Sequence, residues 1–438
     1  MSESELFFNS LAVVLLAGVS GISFGFLVLF GELIKPLTVA YSEPESTFLD
    51  LWSNQQAISI GGGLLAIIIL LGLKWSKMSD KTCVVLNLAL VTLGAILFTG
   101  GCLIIGWEPP NLLVYTNILM TMVAPGCGLV FWGSSNLVFD QLDLSTWRNK
   151  VMIALYLCAS PLFIMLFFPS LQLTTSDDFY EPYRTVGTLM TPLTMLLVVV
   201  TISMLGTPNE KQTSSLKKPA PNAVMWWTSF LCFATARSLF FGVFGTSVSL
   251  FPNYVVHIGG NETGFESLEV GLEDRVVRDC LLWMAAGSII GRVLFTMMPG
   301  DLMRVFYHAS AMGVLGGWYV RINNTSFVAS TGVELCAVAF FIGFTIGQIF
   351  IDFLLVTANK YEHPHVPLEL KTLFIGVGML VMTSCMRLSV GFFGGLGDGI
   401  DWKFVATLNL CIMGGVTGLE LVGMAVFPKS DMEKIASE

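Results

Sequence analysis

The chain has 438 residues, of which 54% are hydrophobic and only 12% are charged, and its mean hydropathy is +0.75. Soluble domains carry about 25% charged residues because water wets their surface, so these values exclude a soluble globular protein. The net charge of −9 and the pI near 5.0 argue against a nucleic-acid partner, since nucleic acids attract basic surfaces.

Long apolar runs follow one another from the beginning of the chain to its end. Because about 20 apolar residues span the roughly 30 Å of a bilayer core, they predict an all-α integral membrane protein with about 12 transmembrane helices. The acidic first residues run directly into the first apolar run, which predicts an uncleaved first helix and no signal peptide. The predicted spans lie near residues 9–35, 55–73, 82–105, 112–138, 150–171, 185–206, 223–251, 279–299, 305–320, 330–357, 369–396 and 403–427.

One polar stretch divides the predicted helices into two equal sets. Residues 206–221 hold three prolines and two adjacent lysines, Lys217 and Lys218. We interpret 207–221 as a cytoplasmic linker between two six-helix bundles, an N-terminal one at 1–206 and a C-terminal one at 222–428. Residues 429–438 are then a cytoplasmic tail.

The loop charges predict an orientation, because lysine and arginine concentrate on the cytoplasmic side of membrane proteins. With the N-terminus in the cytoplasm, most loop lysines and arginines fall inside, and the C-terminus also lies inside. The glycosylation sequons at Asn261, Asn323 and Asn324 then fall in exterior loops. We therefore expect a multi-pass glycoprotein of the plasma membrane.

The most informative charge inside a predicted span is Arg292 in the eighth. It lies 13 residues after Asp279, about 20 Å along the helix, where a charge costs roughly 2.5–3.5 kcal/mol. It should therefore face a partner or a water-filled cavity. A guanidinium suits a carboxylate, to which it donates two parallel hydrogen bonds. The alternative is a structural ion pair or a helix-terminus contact that locks the inward gate.

Four further charged residues inside predicted spans are candidates for a functional role. Arg237 and Arg387, in the outer halves of the seventh and eleventh spans, are candidates for additional contacts to a solute, for snorkelling outward, or for pairing across helices. Asp352 and Glu420, in the inner thirds of the tenth and twelfth, are candidate partners for an arginine or candidate proton carriers.

Signs of enzyme chemistry are missing from the sequence. The nine cysteines are scattered with no Cys-x-x-Cys pair, and the four histidines are expected in loops or at helix ends, with no zinc-binding spacing. No Ser-His-Asp set is visible. We expect no enzyme, no metal and no cofactor.

Three stretches carry a resemblance to a known family: Gly21-Ile-Ser-Phe-Gly-Phe26 with Ser42-Glu-Pro-Glu-Ser46, Trp147-Arg148-Asn-Lys150 with Ala159-Ser160-Pro161, and Ile289-Ile290-Gly291-Arg292 with Gly300-Asp301. The first stretch resembles the first helix and outer loop of the monocarboxylate transporter-like porters. The second resembles their basic loop and fifth helix, and the third resembles the arginine motif of their eighth helix. These porters belong to the major facilitator superfamily, and the likeness spans nearly the whole chain.

The resemblance implies a secondary transporter that moves a small organic solute, a carboxylate or an amino acid, by alternating access between two helix bundles. It implies that Arg292 holds the anionic group, helped by Arg237 or Arg387. Ser288, a further candidate for contact with the solute, stands where proton-coupled members carry an aspartate, and Val28 stands where they carry a lysine. A facilitator of the aromatic amino acid kind, which lacks this lysine–aspartate pair, fits the remaining residues at least as well as proton cotransport does.

Two other functions stay open. Phe251-Pro252, and Gly291-Arg292 followed by Pro299-Gly300, resemble equilibrative nucleoside transporters, which have eleven helices and an exterior C-terminus. A non-transporting receptor or sensor on the same scaffold is the other. The expected partners are a small-molecule solute and the lipid bilayer, and the sequence gives no indication of an accessory membrane subunit.

Overall fold

The computed structural model describes residues 3–40, 45–75, 80–142, 146–167, 179–205, 231, 235, 271–297, 301–323, 332–351, 373, 376–377 and 402–426. Almost all of this backbone is helical. The helices are α1 (Glu3–Ala40), α2 (Glu45–Trp75), α3 (Asp80–Ile105), α4 (Leu112–Ile118), α5 (Ala124–Gln141), α6 (Trp147–Phe167), α7 (Glu181–Leu205), α8 (Gly271–Met297), α9 (Asp301–Asn323), α10 (Gly332–Ile351) and α11 (Trp402–Val426).

Six of the described stretches are long and apolar enough to cross a membrane: Ser10–Leu27, Thr82–Ile105, Leu112–Phe139, Trp147–Phe167, Glu181–Leu205 and Asp279–Met297. Large apolar side chains such as Leu166, Met195 and Ile202 are exposed on their outer faces, as expected of residues that face lipid. The prediction of an all-α integral membrane protein is confirmed. The predicted spans at 223–251 and 369–396 and the predicted linker lie outside the described residues, apart from a few isolated helical positions.

The fourth predicted span is interrupted by a change of helix type. Between α4 and α5 the chain makes a π turn at Leu119–Val123, and Pro125 follows at the beginning of α5. Proline has no N–H, so it cannot bond the carbonyl of Thr121 four residues earlier. The wider π turn accommodates this missing bond.

Glycines allow several helix pairs to pack backbone against backbone. A Cβ added at Gly21 on α1 would lie 2.6 Å from the Cβ of Ala159 on α6. A Cβ at Gly287 on α8 would lie 2.0 Å from the carbonyl oxygen of Phe340 on α10. Small residues permit such close approach where lipid supplies no hydrophobic drive between helices.

Hydroxyl groups join the helices of the first part of the chain. Tyr156 on α6 has its hydroxyl 2.8 Å from Ser134 Oγ, 3.0 Å from Ser135 Oγ and 3.2 Å from Ser20 Oγ. Helices α3 and α7 are joined by two threonine pairs, Thr92 with Thr201 at 2.7 Å and Thr99 with Thr194 at 2.9 Å. Interhelical hydrogen bonds of this kind stabilise helix association inside a membrane.

The described helices pack as two groups that meet at α6 and α8. Helices α1 to α7 pack on one another, and α8 to α11 pack on one another. Helix α6 also packs directly against α8. The first group therefore touches the second through the helix that carries Ser160 and Pro161.

One histidine lies deeper than the sequence analysis expected. His308 is buried in α9, only 3% exposed, with Nδ1 3.5 Å from Oγ1 of Thr417 on α11. The expectation that every histidine lies in a loop or at a helix end was wrong for this residue. Helix α9 begins at Asp301, one turn earlier than the predicted span, so His308 lies two turns inside it.

Candidate functional site

Arg292 is buried between the two groups of helices. Its side chain is 4% exposed, although it carries a charge that water would normally solvate. Nη1 donates a hydrogen bond to the backbone carbonyl of Leu157 on α6, and a second to Ser160 Oγ at 3.3 Å. A residue of the second group therefore bonds directly to the backbone of the first.

The carbonyl of Leu157 is available because of Pro161. In an α-helix this carbonyl would accept a hydrogen bond from the N–H of the residue four positions later. That residue is Pro161, inside α6, and proline has no N–H to donate. The guanidinium of Arg292 thus supplies the donor that the helix lacks.

A second, weaker contact lies beside the first. The thiol of Cys158 on α6 is 3.9 Å from the carbonyl oxygen of Ile289 on α8, one turn before Arg292. On the opposite side of α6, Gly25 of α1 lies so close that an added Cβ would be 3.0 Å from the Ser160 carbonyl oxygen. Helix α6 is therefore held between α1 and α8, with little space on either side.

The contact lies near the middle of the membrane-spanning part of α6. Leu157 is ten residues from each end of the span Trp147–Phe167, about 15 Å at 1.5 Å per residue. Side chains on a helix lean toward its N-terminus, so Arg292 reaches from the C-terminal part of α8 toward this level. This depth is where transporters bind their solutes.

Ser288 lies one helical turn before Arg292, on the same face of α8. Its side chain is buried, 6% exposed, and its hydroxyl makes no hydrogen bond to any residue that the structure describes. A buried hydroxyl without a partner is uncommon and calls for an explanation. Arg292 and Ser288 are the two predicted solute-contacting residues that the described structure brings together.

The other predicted residues lie beyond what the structure describes. Arg237, Arg387, Asp352, Asn261 and Asn324 fall outside the described residues. Glu420, the candidate partner for an arginine or proton carrier, lies on α11, and Asn323 ends α9; for both residues only the backbone is described. Among the described side chains, no three His, Cys, Asp or Glu residues are grouped as a metal site.

The sequence analysis missed the backbone acceptor in this site. Leu157 is an apolar residue, and its functional atom is a carbonyl oxygen that every residue possesses. The signal was Pro161 in the interior of an apolar run, since such a proline frees the carbonyl four residues earlier.

Comparison with known proteins identifies the fold. No family model matches the sequence, and no curated protein matches it. Among solved structures, the peptide transporter POT in complex with sulfate is 11% identical, covering 95% of this chain and 94% of its own, with a TM-score of 0.62. A single-residue variant of the E. coli fucose:proton symporter FucP is 13% identical, covering 93% of this chain and 97% of its own, with a TM-score of 0.55. The chain has the major facilitator fold.

A third structure follows the same helix path. A single-residue variant of the peptide transporter POT in complex with alafosfalin is 12% identical, covering 94% of this chain and 95% of its own, with a TM-score of 0.57. At such low identity the likeness to these major facilitator structures concerns the fold. In that fold, α6 and α8 are the fifth and eighth spans predicted from the sequence.

Proposed function

We propose that the chain is a secondary transporter that moves a small organic solute across a membrane by alternating access, and that it is not an enzyme. The observation that carries this proposal is the hydrogen bond from Arg292 on α8 to the Leu157 carbonyl on α6. It joins two groups of helices at mid-membrane depth through a charge that is costly to bury. The transporters that share the fold support the same conclusion.

Arg292 acts both as a lock and as a solute-binding group. In the described conformation its guanidinium is occupied by α6, so a solute gains access only when α6 and α8 separate. An anionic group of the solute then replaces the neutral carbonyl, and a carboxylate can accept two parallel hydrogen bonds from the guanidinium as an ion pair. Solute binding thereby compensates for breaking the contact, and this links binding to the movement of the two bundles.

We assign the moving bundles, the further charged residues and the orientation as predicted from the sequence. The moving bodies are the bundles at 1–206 and 222–428, joined by the linker at 207–221. Arg237 and Arg387 are second contacts for the anion, and Asp352 and Glu420 are ion-pair partners of an arginine or proton carriers. We place both termini in the cytoplasm and the protein in the plasma membrane, as a divergent monocarboxylate transporter-like porter. A tag after Glu438 that is accessible outside intact cells would contradict this orientation and favour the nucleoside-type topology.

Replacement of Arg292 tests the transporter proposal. In cells that express the full chain, we measure uptake of labelled small carboxylates and amino acids at two external pH values. Arg292→Ala should abolish uptake while surface expression is retained, because the solute loses its charged partner. Arg292→Lys should retain a small part of the uptake, since lysine keeps the charge and lacks the planar fork.

Arg184 supplies a matched control. Its side chain also donates to a backbone carbonyl, that of Gly106 at 2.9 and 3.1 Å, but it is 46% exposed and lies on α7, which is not among the helices that pack closely on α8. Arg184→Ala should leave uptake intact. Normal uptake in Arg292→Ala would contradict the proposal, and retained binding of a solute without any uptake would favour a receptor.

A further inference from the structure

We propose that Cys280 on α8 and Cys336 on α10 form a disulfide bond near the outer ends of these two helices. In the structure both residues are thiols, and a side-chain hydrogen bond joins them. The inference rests on the proposed orientation of the chain, and it does not depend on the identity of the solute. It assigns a covalent modification to two of the nine cysteines, which are scattered along the sequence.

The backbones of α8 and α10 approach each other as closely as a disulfide requires. A disulfide joins residues whose Cα atoms are usually about 4.4–6.8 Å apart. Met284 comes one turn after the first cysteine, and its carbonyl oxygen would lie 1.8 Å from a Cβ added at Gly343. Phe340 comes one turn after the second cysteine, and its carbonyl oxygen would lie 2.0 Å from a Cβ added at Gly287. The two backbones are therefore in direct contact in the turn next to the thiols.

The two cysteines also lie at matching levels of their helices. Each precedes its contacting residue, Met284 or Phe340, by four positions. The rings of Trp283 and Phe340 meet edge to face at 6.2 Å, which fixes the level at which the two helices touch. In the predicted topology α8 and α10 run in the same direction through the membrane. One turn back along both helices therefore leads to both thiols.

The proposed orientation places this pair where disulfides persist. Helices α8 and α10 then both begin at the exterior face, after the segments that hold the predicted glycosylation sites. Disulfides form in the secretory pathway and persist at the cell surface, because these environments are oxidising. Cys280 directly follows Asp279, the first residue of the membrane-spanning part of α8. The pair thus lies at the outer end of the span, close to the aqueous phase.

The oxidant in this scheme is a low-molecular-weight disulfide. Cys336 is partly exposed whereas Cys280 is 1% exposed, so the thiolate of Cys336 attacks the small disulfide first. This step forms a mixed disulfide and releases one small thiolate. The thiolate of Cys280 then attacks the sulfur of Cys336 and releases the second small thiolate. The two cysteines are oxidised, the small disulfide is reduced, and the two thiol protons pass to its two products.

The bond would join two helices of the same group. Helix α8 carries Arg292 twelve residues after Cys280, about 18 Å further along the helix. A covalent bond between α8 and α10 is compatible with the proposed separation of α6 from α8, since α6 is not part of it. It makes the helix that carries Arg292 move together with α10.

Counting the cysteines that reduction releases tests the inference in the full chain. Cells that express the protein are lysed in denaturing detergent with N-ethylmaleimide, which blocks every free thiol. The protein is then reduced, or left unreduced, and labelled with a maleimide that carries a polymer of known mass. Two of the nine cysteines should gain this mass tag after reduction, and none without it. Mass spectrometry of the unreduced digest should show the peptides of Cys280 and Cys336 joined.

Single variants identify the two cysteines. Cys280→Ala and Cys336→Ala should each lose both tags, because the remaining cysteine has lost its partner. Cys102→Ala is the matched control and should keep both tags. Cys102 is also a buried thiol near the outer end of a transmembrane helix, but it lies on α3 in the first group.

Absence of the tags in the wild type overturns the inference, as does their persistence in Cys280→Ala. None of these measurements requires uptake of a solute. A protein that contains the disulfide and transports nothing would therefore contradict the proposed transport function and leave this inference intact.

Discussion

Two tyrosines, Tyr115 on α4 and Tyr183 on α7, share a hydrogen bond of 2.6 Å in the interior of the first group of helices. Both side chains are 0% exposed, and their rings meet edge to face at 5.9 Å. Removing one hydroxyl leaves the other buried without this partner, whereas removing both leaves two apolar rings in contact. The cost of a buried unsatisfied group exceeds the net gain from the bond itself.

We therefore expect Tyr115→Phe to lower the free energy of unfolding by about 1–3 kcal/mol. The double variant Tyr115→Phe with Tyr183→Phe should be less destabilised than the sum of the two single variants. Thermal unfolding of the detergent-solubilised protein gives these differences as a double-mutant cycle. Strict additivity would show that the hydroxyls do not depend on each other.

At the scale of single residues, buried charged residues could be predicted from the sequence, but their hydrogen-bond partners could not. Arg292 was identified because a charge inside an apolar run is uncommon, and its burial confirms that it has an internal environment. The Leu157 carbonyl and the Tyr115–Tyr183 pair were not identified. A backbone atom has no residue-specific signal, and a hydroxyl pair depends on which helices become neighbours.

At the scale of helices, glycines set the distance between α8 and α10. Gly343 is the most tightly constrained of these, since an added Cβ would lie 1.8 Å from the carbonyl oxygen of Met284. Gly313 on α9 is the opposite case, with no described atom within 4 Å of an added Cβ. Alanine substitutions at the two positions therefore separate the effect of helix–helix contact on stability from the effect of helix propensity.

Gly343→Ala should destabilise the protein by about 1–3 kcal/mol or more, because the backbones must move apart. Gly313→Ala should be neutral or stabilise by up to about 1 kcal/mol, since alanine is the better helix former. Size-exclusion profiles and thermal unfolding of the two purified variants measure the contrast. Equal stability of the two variants would contradict close packing of α8 on α10.

The positions of the helices could be predicted from apolar length, and their irregularities could not. The predicted spans at 82–105 and 403–427 match α3 and α11 to within two residues at either end. Helices α1 and α2 extend beyond their apolar runs, because a helix continues into the interface where polar residues are tolerated. The π turn at Leu119–Val123 arises from Pro125 and left no trace in the apolar pattern.

At the scale of the whole molecule, the relation between the two groups of helices decides the function. Apolar runs predict how many helices there are, but the contact between α6 and α8 depends on which conformation the bundles adopt. In the described conformation, Arg292 bonds to Leu157 and Cys158 lies against Ile289. Alternating access requires that this contact open during every cycle.

A disulfide between α6 and α8 tests this requirement most directly. Ile289→Cys adds a second thiol on α8 at the residue whose carbonyl oxygen lies 3.9 Å from the sulfur of the native Cys158. Uptake is measured before oxidation, after oxidation and after reduction, with the oxidised parent protein as the control. Complete cross-linking should stop uptake, and reduction should restore it. Full uptake by the cross-linked protein would contradict a transport cycle in which α6 and α8 separate.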